Sequence, residues 1–204
     1  VFKTIQPLRS IIKRVVLIGP SHRVGFQGLA LSSADFFKTP LGSIRIDKQA
    51  QAKLLSIPDI MLLDQAHANE HSLEVQLPFL QQVIDDFSLI PIVAGNASSE
   101  LVSQAIDTLW DGTETLVVIS SDLSHYHNYQ TAQQLDDDTS QSIVELDYTA
   151  IHSANACGYV GINGMLLFAQ QHHLKASLVD LRNSGDTAGE KDSVVGYGAY
   201  IFEE

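Results

Sequence analysis

The chain has 204 residues, 45% of them hydrophobic and 18% charged, with 24 acidic against 12 basic side chains and a formal net charge of -12. That is ample for a real core, and the balance is that of an ordinary soluble globular protein. The acidic excess excludes the classes that need a basic footprint, nucleic-acid binders and proteins held on anionic membrane surfaces. Phe2, Ile5, Leu8, Ile11 and Ile12 recur at helical spacing and predict a helix over 2–13. An α/β sheet that opens on a helix implies a further strand upstream. Val15-Val16-Leu17-Ile18 then reads as a buried strand within 14–19. Gly19 and Pro20 stop it, because Pro has no N–H for a ladder and Gly permits a sharp change of direction. Ser21 and His22 follow at once.

Residues 23–33 are small and irregular. Phe36 to Ile46 predicts two short strands around a Pro/Gly turn, a peripheral hairpin. Asp47 caps a helix at about 48–56. Glu70 to Ile84 predicts a helix with Leu73, Leu77, Leu80 and Ile84 on one face, kinked at Pro78. Ser88–Val93 is the next buried strand, and a helix runs from Ser98/Ser99 through Trp110. Thr115–Ile119 is another strand, ending in Ser120-Ser121-Asp122. Tyr129–Ile151 is helical, with Asp136-Asp137-Asp138 on its solvated face, and Gly161–His173 is a further helix. Strands near 176–182 and 194–202 have no helix between them and form an antiparallel pair. Strands alternating with helices predict an α/β fold, a mainly parallel sheet covered on both faces, in one domain over 1–204. No apolar run approaches the roughly 18 residues of a membrane span, and no signal-peptide pattern opens the chain. The single cysteine excludes an intrachain disulfide, so the expected compartment is the cytoplasm.

In open α/β sheets ligands bind beyond the carboxyl ends of the strands, where His22 lies. Ser121-Asp122-Leu123-Ser124-His125-Tyr126-His127 follows a second buried strand. If the two strands are parallel neighbours, His22 and His125 open onto the same edge. Asp122 either caps a following helix or orients a histidine, ligates a metal or accepts a proton; His125 beside it favours function. Cys157 sits in a Gly-bracketed turn before a helix. A lone Cys is usually a small hydrophobe, but with histidines converging it becomes a candidate soft ligand or nucleophile.

His67-Ala68-Asn69-Glu70-His71 spells His-x-x-Glu-His, a zinc-peptidase pattern in which Glu is the base. In a chain with 8 histidines the match is weak. Asn69 and Glu70 look like a helix start, leaving His67 in the preceding loop, whereas the face carrying His71 must pack on the sheet. His172 and His173, at a helix end, are dipole partners or surface residues. His127 and His152 receive no role.

Taken together, Gly19-Pro20-Ser21-His22, Ala30-Leu31-Ser32-Ser33-Ala34-Asp35, Glu70-His71-Ser72-Leu73-Glu74-Val75-Gln76-Leu77-Pro78, Ser120-Ser121-Asp122-Leu123-Ser124-His125-Tyr126, Asn183-Ser184-Gly185-Asp186 and Val194-Val195-Gly196-Tyr197 resemble the Memo family. This is the group labelled AmmeMemoRadiSam system protein B, with its eukaryotic relatives. The resemblance implies a three-layer α/β sandwich like that of the class III extradiol dioxygenases. It implies a metal pocket with His22, His71 and Cys157 as ligands and Asp122 and His125 beside them. Family members usually begin with a strand bearing a Pro-His-Ala-Gly-like motif, which this sequence lacks, so a missing upstream strand is expected. A His₂Cys donor set is softer than two histidines and a carboxylate and suits Fe(II) first, with Cu or Zn as alternatives. The implied function is an intracellular metal-binding protein with non-haem iron redox or dioxygenase-like chemistry on an unidentified small molecule. In that scheme His125 moves protons and Asp122 orients it. The alternatives are a metal carrier or peptide-binding module without turnover, and a zinc hydrolase that would require His67.

Overall fold

β1 (Arg14–Pro20) is an interior strand paired on both sides, with Val15 through Ile18 fully buried. The computed structural model describes residues 2–187 and 189–204. In chain order there follow β2 (Leu29–Leu31), the hairpin β3 (Phe36–Thr39) and β4 (Gly42–Arg45), then α1 (Lys48–Leu54). After these come β5 (Ile60–Leu62), α2 (Asp64–Ala68), α3 (Leu77–Val83), β6 (Ser88–Ala94), α4 (Ser99–Leu109) and β7 (Thr115–Ile119). The chain ends through β8 (His125–His127), α5 (Tyr129–Val144), α6 (Tyr159–Gln171), β9 (Lys175–Asn183) and β10 (Val194–Glu203).

The main sheet has the order β5-β2-β6-β1-β7. β1 is parallel to both β6 and β7, with Ile18 opposite Ile92 and Ile119, and only the β2–β6 pair is antiparallel. Alternate β1 side chains go to opposite faces. Val16 and Ile18 pack with Leu54 of α1, Val102 and Ile106 of α4 and Met165 and Phe168 of α6. Val15 and Leu17 pack with Ala66 of α2 and Leu77 and Leu80 of α3. This is the expected mainly parallel sheet with helices on both faces. Each fully buried Leu or Ile removed from water contributes about 1.5–3 kcal/mol. A smaller sheet, β8-β10-β9, carries the predicted antiparallel pair of the last two strands as a separate unit. Among the described residues no helix is long and apolar enough to cross a membrane.

Several elements differ from the sequence reading. The first helix is a 3-10 helix over Phe2–Leu8 containing Pro7, which has no N–H for an α-helical bond. β2 lies in the stretch read as irregular; three buried residues are too few to show a period. β5 and α2 are too short to show a period in the sequence, and α2 places His67 on a helix rather than in a loop. The helix expected from Glu70 begins at Leu77, and Pro78 stands in its first turn, where its missing N–H costs nothing, so it does not kink the helix. α5 ends at Val144 because Leu146 adopts φ 59°. Asp147 N–H then reaches Ser142 O at 2.8 Å and Leu146 N–H reaches Ile143 O at 3.1 Å, a closure that satisfies the last carbonyls. Asp136, expected on the solvated face of α5, is buried.

Candidate metal centre

The parallel register of β1 and β7 brings the segments after both strands to one edge, Ser120 N–H donating to Ile18 O at 2.8 Å. No helix follows Asp122, so it caps nothing. The chain continues extended into β8, held by three bonds. Leu123 N–H donates to Gly196 O and Gly196 N–H to Ser124 O, both at 2.8 Å. Ser124 N–H donates to Asp136 Oδ1 at 2.9 Å. A Cβ on Gly196 would lie 2.0 Å from Asp136 Oδ2, so glycine is the residue that lets β10 approach α5 so closely. Burial pushes the Asp136 carboxyl pKa up against the Ser124 donor.

Cys157 precedes α6 and is stitched to the same segment. Asp122 N–H points to Cys157 Sγ at 3.3 Å, and Cys157 N–H donates to Asp122 O at 3.3 Å. Gly158 N–H donates to Ser121 Oγ at 2.8 Å, and a Cβ on Gly158 would sit 2.7 Å from Ser120 O. His125 Nε2 lies 3.6 Å from Asp122 Oδ2. Ligand atoms of Asp122, His125 and Cys157 are all within 4.8 Å of one another, close enough to share one ion.

The facing wall is built around Glu70, which is 7% exposed. Its carboxylate accepts N–H bonds from His22 at 2.6 Å and from His71 and Ser72 at 3.0 Å each. Those bonds also keep this stretch out of the predicted helix. Burial alone would raise the Glu70 pKa, but the His22 and Ser72 donors outweigh it and hold it at about 2. His22 Nδ1 lies 3.0 Å from the ionised Glu70 Oε1 and therefore carries the proton, so in the neutral ring Nε2 keeps a lone pair. His71 Nδ1 is 2.8 Å from Glu74 Oε1, with the same consequence. Metal-binding histidines are typically oriented through such a carboxylate. Ser72 Oγ–H to Pro20 O at 2.9 Å and Gln76 Nε2–H to Ser120 Oγ at 2.8 Å tie this wall to β1 and to the segment after β7.

His22, His71, Asp122 and Cys157 thus line one cavity of about 290 Å³, with Glu70 among its walls. His22 and His71 stand across from the compact Asp122–His125–Cys157 group and are not members of it. The sequence offers Glu70 only as a zinc-hydrolase base; the signal for its orienting role is its place beside His71. His67 lies elsewhere. Its Nε2–H donates to Ala30 O at 3.1 Å and its ring meets Phe37 edge-on. Burial lowers its pKa, as for a neutral structural histidine. His172 pairs with Asp107 at 2.8 Å, and His127 and His152 are exposed.

A family model described as Memo-like protein matches residues 1–201. The chain belongs to the Memo-like family. A MEMO1 family protein of Metallosphaera sedula is 32% identical over 203 residues, covering 93% of this chain and 72% of the relative. One from Methanosarcina mazei is 36% identical over 202 residues, covering 92% and 74%. Among solved structures, the uncharacterized protein JW3007 of Escherichia coli K12 superposes with a TM-score of 0.61 at 13% identity, over 97% of this chain and 92% of that one. That likeness shows the fold. In this Memo-like chain the cavity at the ends of β1 and β7 is lined by His22 and His71 on one side and by Asp122 and Cys157 of the compact group on the other.

Proposed function

We propose that the chain binds one divalent or soft metal ion in this cavity, Fe(II) in the first place with Cu or Zn as alternatives. We further propose that the ion serves redox or dioxygenase-like chemistry on a small molecule. The observation that carries this reading is the convergence of oxygen, nitrogen and sulfur donors from Asp122, His125 and Cys157 within 4.8 Å. A set mixing thiolate and imidazole suits these metals better than Mg²⁺ or Ca²⁺. Two ligand sets share Cys157. The family resemblance implies His22, His71 and Cys157, and the carboxylates behind both imidazoles support that set. The alternative is the compact group itself, supported by proximity.

When bound, the ion would supply Lewis acidity and, as iron or copper, a redox centre. The protein's own part is positional and protonic. Glu70 fixes the ring of His22, and Glu74 that of His71. Asp122 Oδ2, 3.6 Å from His125 Nε2, needs a small approach to exchange a proton with that atom. Turnover in the cytoplasm, on a small molecule rather than a peptide, belongs to the same reading.

Elemental analysis after anaerobic Fe(II) loading tests it. Near-stoichiometric iron is expected in wild type and little in Cys157→Ser. Iron lost in His71→Ala but kept in His125→Ala assigns the first ligand set, and the opposite pattern assigns the second. A wild-type protein that stays metal-free after loading would sink the reading and leave a binding module.

A further inference from the structure

The metal cavity has a neighbour. Beyond Cys157 a cavity of about 560 Å³ opens between the carboxyl ends of β1 and β6 and the start of α6. Pro20 and Cys157 belong to the walls of both, so the two spaces lie side by side there. Their chemistry differs. The smaller carries His22, Arg23, Glu70, His71 and Asp122. Among the described residues the larger has no Asp, Glu, Lys, Arg or His on its walls, in a chain with 24 acidic and 12 basic residues. Phe26, Tyr159, Val24 and Val160 give it rings and aliphatic surface. Gln27 and Asn96 add a polar edge, Asn96 Nδ2–H donating to Gln27 Oε1 at 3.0 Å.

The glycines on these walls are not equivalent. A Cβ on Gly95 would lie 2.4 Å from Phe26 O, and one on Gly158 2.7 Å from Ser120 O. Both are required by packing. A Cβ on Gly25 would meet nothing within 4 Å, so the space above it is open. The volume is in the range of small-molecule sites. An ionic group entering would meet no side chain of opposite charge, only the first turn of α6, whereas a ring gains by burying apolar area.

We propose that this larger cavity binds the body of the small molecule on which the metal centre acts. The body is an uncharged, ring-bearing compound with one amide- or hydroxyl-like edge, its reacting end passing Cys157 into the charged cavity. The placement of the reacting end rests on the metal reading above; binding of the body does not.

The test uses the full chain with benzamide and phenyl phosphate as probes, followed by saturation-transfer NMR, with metal content measured separately by elemental analysis. Benzamide is expected to saturate in wild type and to weaken by at least about tenfold in Gly25→Phe, whose ring fills the open space. Phenyl phosphate is expected to show no Gly25-dependent binding, and metal uptake of Gly25→Phe to match wild type. If Gly25→Phe does not fold, Gly25→Leu gives the same reading with a smaller side chain. Absence of benzamide binding, equal binding by wild type and the Gly25 variant, or Gly25-dependent phenyl phosphate binding would each overturn the proposal. Benzamide bound by a protein that takes up no metal would support the cavity while removing the metal reading; metal taken up without benzamide would do the reverse.

Discussion

Glu70 organises the histidine wall with one carboxylate and three backbone N–H donors. Its ordinary pKa of 4.5 falls to about 2 in the folded chain. A depressed carboxyl pKa stabilises the fold above the unfolded value, and that contribution is lost as pH drops from about 4.5 towards 2. The shift corresponds to about 3 kcal/mol. In Glu70→Gln this part of the acid limb should flatten, read from urea midpoints measured across that pH window. Parallel curves for wild type and variant would show that Glu70 has no such role. The same substitution removes the charged acceptor behind His22 Nδ1, and iron affinity should fall by about 10–100-fold. His22 itself was legible in the sequence, because a residue just past a buried strand and a Gly-Pro stop lies at the ligand-binding edge of an α/β sheet. Glu70's role was not, because it consists of backbone donors gathered from a loop that the residue periodicity read as helix.

At the scale of elements, the segment after β7 owes its shape to β10 and α5. Gly196 exchanges backbone bonds with Leu123 and Ser124 while its missing side chain makes room for Asp136. Gly196→Ala should therefore cost about 1–3 kcal/mol by overpacking, measured by chemical denaturation. Asp136→Asn keeps an acceptor for Ser124 N–H and removes a buried charge, so its cost should be smaller. If Gly196→Ala is as stable as wild type, the close approach is not what holds the segment. The strands β1, β6 and β7 were readable because continuous β-branched runs bounded by Gly, Pro or Ser have few other interpretations. The burial of Asp136 was hidden: three successive aspartates look solvated until a neighbouring strand supplies a donor to one of them.

For the whole molecule, a ligand that binds the folded state alone raises the melting temperature. Fe(II) at about 100 times its Kd should stabilise wild type by about 2.7 kcal/mol, a rise of about 5–10 °C for a chain of this size. Cys157→Ser should show little of that rise by calorimetry under anaerobic conditions, and an equal rise would remove Cys157 from the ligand set. The sequence by itself determined the α/β class, the sheet-edge position of His22 and Asp122, and the family, because strand patterning and motif order are local properties written along the chain. Tertiary structure decided the rest. It set Asp122 and Cys157 against each other across 35 residues, brought Glu70 behind His22 across 48, and left His67 half-buried against Ala30. Those relations depend on which strands become neighbours and which loops cross between them, and that is settled when β1, packed on both faces, fixes the order of the sheet.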